Sequence, residues 1–133
     1  MNAAVRSFVR NRAGNRCEYC HMPQEFHDQT FHLDHIIARK HREDDSDSNL
    51  ALACFQCSLY KGSDISGIDP ATRKQSRLFH PRKDRWADHF GWSDAELIGK
   101  TPVGRVTIGV LRMNRPERVN LRRLLLRAGI SFD

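Results

Sequence analysis

Long apolar runs are missing from this chain. No segment approaches the roughly 20 residues a bilayer-crossing helix needs. The stretch from Met1 to Gly14 carries Arg6, Arg10 and Arg12 where a secretory leader would be apolar. The expectation is a cytoplasmic, intracellular protein with no membrane partner. Apolar residues are also scarce, 39% against 29% charged, so the core is small and a cross-link would help it. Internal repeats and low-complexity tracts are absent. The acidic run Glu43-Asp44-Asp45 with Asp47 lacks the glycine turn and closing glutamate of a calcium loop and reads as a solvated loop. No recognition helix or RNA-stacking signature stands out, which argues for limited sequence specificity on any nucleic acid.

Cysteine is equally sparse, but its placement is informative. The four present form two Cys-x-x-Cys pairs, Cys17/Cys20 and Cys54/Cys57, with residues 21–53 between them. In a reducing compartment such pairs indicate a metal; in an exported protein they would read as disulfides. Four thiolates fill a tetrahedral zinc shell and leave no position for water, so a zinc here is structural. His21 is a less favoured stand-in ligand. The net charge of +6 and a pI near 9.5 favour a polyanionic partner.

At 133 residues the chain suits one domain spanning 1–133. Val5, Phe8 and Val9 predict a helix over 3–12, ended by Gly14. Residues 31–37 and 50–53 read as a pair of strands, and 58–62 as a short helix closed by Gly62. In the second half, Phe90, Trp92 and Leu97-Ile98 around Ser93-Asp94 suggest a hairpin. Thr101-Pro102 opens a helix carrying Val103, Val106, Val110 and Leu111. A Leu-rich helix over 117–128 follows, its leucines expected in the core and Arg122, Arg123 and Arg127 on its solvent face. The fold class is α+β, with a core over about 14–64 and a C-terminal extension over about 70–133.

Hydrolysing a phosphodiester needs a base for water and a cation for the developing charge. Between the cysteine pairs stand Asp34, a hard oxygen ligand for Mg²⁺ or Mn²⁺, and His35, whose unperturbed imidazole is largely neutral at cellular pH. Adjacent strand residues face opposite ways, so both can serve one site only where the strand ends. The order of parts is cysteine pair, strand ending Leu33-Asp34-His35-Ile36-Ile37, loop, Asn49-Leu50, second pair, then Ser58-Leu59-Tyr60-Lys61-Gly62.

That order resembles the HNH endonuclease family and its ββα-metal finger, in the version braced by four cysteines. The resemblance covers about a third of the chain. It implies a DNA endonuclease with His35 as general base and Asp34 holding one catalytic divalent ion. It implies that Asn49 orients the loop and His35, and that products carry a 5′-phosphate and a 3′-hydroxyl. The second metal ligand of the family is Asn or His, where this chain has Ser58. Three readings follow. Ser58 holds the ion through a water with reduced activity; His41 or Asp64 takes its place; or the chain is an inactive zinc-finger DNA-binding module. Arg39, Lys40, Arg42 and Lys61 are placed to meet phosphates, and Arg73, Lys74, Arg77, Arg82, Lys83 and Arg85 form a second basic cluster.

Overall fold

The computed structural model describes residues 2–42 and 44–133, and the chain divides into two units. The first takes Met1–Ser63 and His80–Lys83; the second takes Asp64–Phe79 and Asp84–Asp133.

In the first unit α1 spans Ala3–Arg12. Asn2 caps it by accepting from Val5 N at 2.9 Å. Gly14, at φ +65°, supplies the left-handed turn that ends it. Of the expected apolar stripe only Val9 is buried, while Phe8 is half exposed. The helix is instead tied down by cations of its last turn. Arg10 donates to Phe31 O at 3.0 Å and Arg12 to Leu50 O at 2.7 Å.

Strand β1 (His32–His35) pairs antiparallel with β2 (Leu50–Ala53), with Asp34 opposite Ala51 and His35 opposite Leu50. The expected first strand is thus cut to four residues and stops at His35. All four residues of β2 are buried, so this strand is the floor of the unit. The long connection between the strands holds a short helix, α2 (Arg39–Arg42), and a 3₁₀ turn at Asp47–Asn49. Helix α3 (Phe55–Lys61) follows β2 at once, capped by the Cys54 sulfur and ended by Gly62 at φ +51°. β1, β2 and α3 make the expected ββα unit.

The second unit opens with a hairpin that the sequence reading did not expect, β3 (Ser66–Ile68) with β4 (Gln75–Arg77), the latter inside the second basic cluster. A short helix α4 (Trp86–His89) leads into the expected hairpin, β5 (Phe90–Ser93) with β6 (Glu96–Gly99). Helix α5 (Pro102–Val110) starts as its cap predicts, with Thr101 Oγ1 accepting from Gly104 N at 3.1 Å. Any side chain at position 104 would collide with the His89 carbonyl, so glycine is required there. Phe79, Phe90, Leu97, Val106, Leu111 and Met113 form the core.

Helix α6 (Pro116–Arg127) reverses expectation. Arg118 and Arg122 are buried, whereas Leu124 is 62% exposed and Leu126 is exposed too. Arg122 donates to Ala95 O at 2.8 Å and to Asn114 Oδ1 at 3.1 Å, and its guanidinium lies 5.7 Å from the centre of the Trp92 ring. Arg118 donates to Leu111 O at 2.8 Å. The arginines are inside because backbone carbonyls at the ends of neighbouring elements need donors, and a guanidinium supplies several. Arg123 and Arg127 stay near solvent, as expected.

Candidate active site and metal centre

The first cysteine pair sits in a tight knuckle. Cys17 N bonds Met22 O at 2.9 Å, His21 N bonds Cys17 O at 2.9 Å, and His21 takes the left-handed conformation that closes the turn. Glu18 fastens this knuckle to β2 in both directions, its N–H on Leu52 O at 2.8 Å and its carboxylate accepting from Leu52 N at 2.8 Å. The same carboxylate is ion-paired with Arg82. The second pair lies where β2 turns into α3. Each knuckle also aims an N–H at a sulfur, Cys20 N at Cys17 Sγ and Cys57 N at Cys54 Sγ.

All four cysteines are buried, and their sulfurs lie within 4.8 Å of one another. The 3.7 Å between Cys20 Sγ and Cys54 Sγ matches the edge of about 3.8 Å expected for a tetrahedron with metal–sulfur bonds of about 2.3 Å. Burial pushes the thiols of Cys17 and Cys57 well above their ordinary value. Thiolates there need a cation, so the donor set and spacing fit a metal such as zinc. No position is left for His21.

The second cluster forms at the end of β1. Ser58 Oγ, one turn into α3, donates to Asp34 Oδ1 at 3.4 Å. Lys61, one turn further on, places its ammonium 3.1 Å from Asp34 Oδ2 and donates to His35 O at 2.9 Å. Burial raises the Asp34 carboxyl above its usual range, opposed by Lys61, by the Ser58 hydroxyl and by His35. What this cluster could offer a cation is one carboxylate and one hydroxyl, both hard oxygens.

Lys61 corrects the sequence reading. It was expected to reach a phosphate, but it is 1% exposed and its ammonium is turned onto Asp34 and the His35 carbonyl. The physical reason is the buried Asp34 carboxylate, which is costly without a cation. Arg39 and Lys40 are exposed on α2, as a substrate contact requires. The side chain of Arg42 lies outside the described residues, as does Glu43. His41 is engaged elsewhere, its Nε2 lying 3.2 Å from Ser63 O. His32 is exposed, its ring 6.0 Å from that of Phe55.

Asn49 is wholly buried and spends its entire amide on the loop. Its Oδ1 accepts from Ile37 N at 3.0 Å, and its Nδ2 donates to Ile37 O at 3.0 Å and to Asp44 O at 2.9 Å. The side-chain contact of His35 is instead with a residue that the sequence reading placed in a solvated loop. Asp45 Oδ1 lies 2.7 Å from His35 Nε2 and 3.6 Å from Arg39 Nε. Nothing local in the run Glu43-Asp44-Asp45 distinguishes this carboxylate from its neighbours.

Compared with known protein families, residues 17–64 match the one described as HNH endonuclease. That stretch is an HNH domain. The HNH match covers both cysteine pairs, β1, β2 and α3, and supports a nuclease-type, hydrolytic function in general terms. The chain is also similar to the Septu protein PtuA of Bacillus mycoides (strain KBAB4), 24% identical over 146 residues, covering 89% of this chain and 20% of PtuA. It thus spans about a fifth of that relative's length. No solved structure matches. Among the described residues no helix is long and apolar enough to cross a membrane.

Proposed function

We propose that this chain is a metal-dependent DNA endonuclease of the HNH type, braced by a structural zinc on Cys17, Cys20, Cys54 and Cys57. The observation that carries this is the convergence of Asp34 and Ser58 at the strand end that bears His35. His35 takes a proton from the attacking water, a contribution of about 10²–10⁴ in rate for a positioned base. Asp34 and Ser58 would hold a single Mg²⁺ or Mn²⁺, which would supply positive charge against the phosphate and the leaving oxygen. Asn49 keeps the loop over the site. Arg39, Lys40 and Arg42 meet flanking phosphates, giving salt-dependent affinity with little sequence preference.

A plasmid-nicking assay with Mg²⁺ or Mn²⁺ tests the reading: the wild type cuts and His35→Ala does not. Equal cutting by both would refute the role of His35. A second reading is a weakened or inactive DNA-binding module. It is favoured by the neutral, short Ser58 side chain and by the ammonium already resting on Asp34. Under the first reading Ser58→Asn, which offers an amide oxygen, strengthens Mn²⁺ binding in titration calorimetry and raises cleavage. A wild type that shifts DNA in a salt-graded gel assay but never cuts it favours the second.

A further inference from the structure

The contact between Asp45 and His35 has chemical content beyond proximity. The hydrogen bond to His35 holds the Asp45 carboxyl below its usual range, so it is ionised at neutral pH and can only accept. His35 Nε2, 2.7 Å away, must then carry the hydrogen, and in the neutral ring Nδ1 is left with the lone pair. This pair is poorly suited to holding up the fold. The Asp45 side chain is 52% exposed, and ion pairs this open to solvent add little to stability.

The position of Asp45 is nevertheless built. Buried Asn49 grips Asp44 O and both polar groups of the Ile37 backbone, and Ser46 N closes onto Asp44 Oδ1 at 2.8 Å. The residues on either side of Asp45 are therefore pinned, and Arg39 stands behind the carboxylate.

We infer that Asp45 is the positioning residue for His35, fixing the imidazole with Nε2–H toward the loop and Nδ1 as the atom that accepts a proton. This rests on the reading of His35 as the base. The test uses the whole zinc-loaded chain without added Mg²⁺ or Mn²⁺, in mildly alkaline buffer. Nitrogen-15 NMR of the ring should show a His35 Nε2–H proton protected from water in the wild type. It should persist in Asp45→Asn, whose amide oxygen still accepts, and vanish into solvent exchange in Asp45→Ala. In the nicking assay Asp45→Ala should lose about 10–100-fold in kcat with KM for DNA unchanged, and Asp45→Asn should lose less. An unchanged Nε2–H signal in Asp45→Ala, or wild-type kcat in that variant, overturns the inference. If the wild type cuts no DNA while the signal still follows Asp45, the nuclease reading fails and the hold of Asp45 on His35 stands.

Discussion

Replacing Lys61 by Met removes the ammonium but keeps most of its length, and the structure states what is lost. The ion pair with Asp34 spans 3.1 Å between side chains 1% and 10% exposed. At an effective dielectric of about 20 the attraction at that distance is about 5 kcal/mol. Part of it only offsets the cost of desolvating both groups. What counts for the variant is the carboxylate left behind, and truncating one partner of a buried pair costs about 3–5 kcal/mol. Ser58 remains as a long hydrogen bond, and Asp34 can escape by taking a proton, so the lower end, about 3 kcal/mol, is expected. The assay is denaturant unfolding with zinc kept bound and no other divalent ion present.

Its pH dependence has a definite sign. Burial already raises the Asp34 carboxyl, and Lys61 opposes that rise. Without Lys61 the folded-state value climbs further above the unfolded one. Such a group contributes stability that is full below about pH 4 and is lost as pH rises through its folded value. The deficit of Lys61→Met should therefore be small in mildly acid buffer and grow toward neutral pH. Adding Asp34→Leu should recover much of the loss, because an apolar pair no longer strands a charge. A single variant within about 1 kcal/mol of wild type at neutral pH, or a double variant no more stable than the single, would refute the reasoning.

Stripping zinc, or substituting Cys57→Ser, should unfold the first unit. Structural zinc contributes about 10–16 kcal/mol, comparable with the whole stability of a small domain. Metal analysis alongside circular dichroism checks this, and a native spectrum without metal would contradict it. In the second unit the buried Asp69 carboxylate accepts from Arg105 Nε and Nη2 at 2.9 and 3.0 Å, and these bonds hold its carboxyl below the usual range. Its contribution is present above about pH 4 and lost as pH falls, so Asp69→Asn should flatten the acid-unfolding limb followed by tryptophan fluorescence. On α6, Arg122→Ala should cost about 3 kcal/mol by orphaning the Ala95 carbonyl, while Leu124→Gln should cost less than about 0.5. Thermal unfolding of the two variants in the reverse order would contradict the burial described for that helix.

What could be read from the sequence was what is written locally. Two Cys-x-x-Cys pairs and the Thr101-Pro102 cap carry their geometry within a few residues, and so do the two strands of the finger; the role of Asn49 came only from the resemblance, because its partner Ile37 stands twelve residues away. The hairpin Ser66–Ile68 with Gln75–Arg77 was passed over because its strands are short and carry one large apolar residue, Ile68, and its turn is fixed by Asp69, whose partner Arg105 is far along the chain. The inverted burial of α6 was illegible for the same reason: a guanidinium goes inside only where carbonyls await it, and those belong to Leu111 and Ala95. Lys61 and Asp45 escaped likewise. Each answers a charged or polar group on β1 that the chain brings near only on folding.

The return of His80–Lys83 to the first unit sets an order of assembly. A nascent polypeptide that has emerged only as far as Ser63 already owns all four thiols, yet the carboxylate of Glu18 still waits for the guanidinium of Arg82. Cutting the gene at the apparent seam would make that wait permanent, so a fragment meant to isolate the finger should run at least to Lys83.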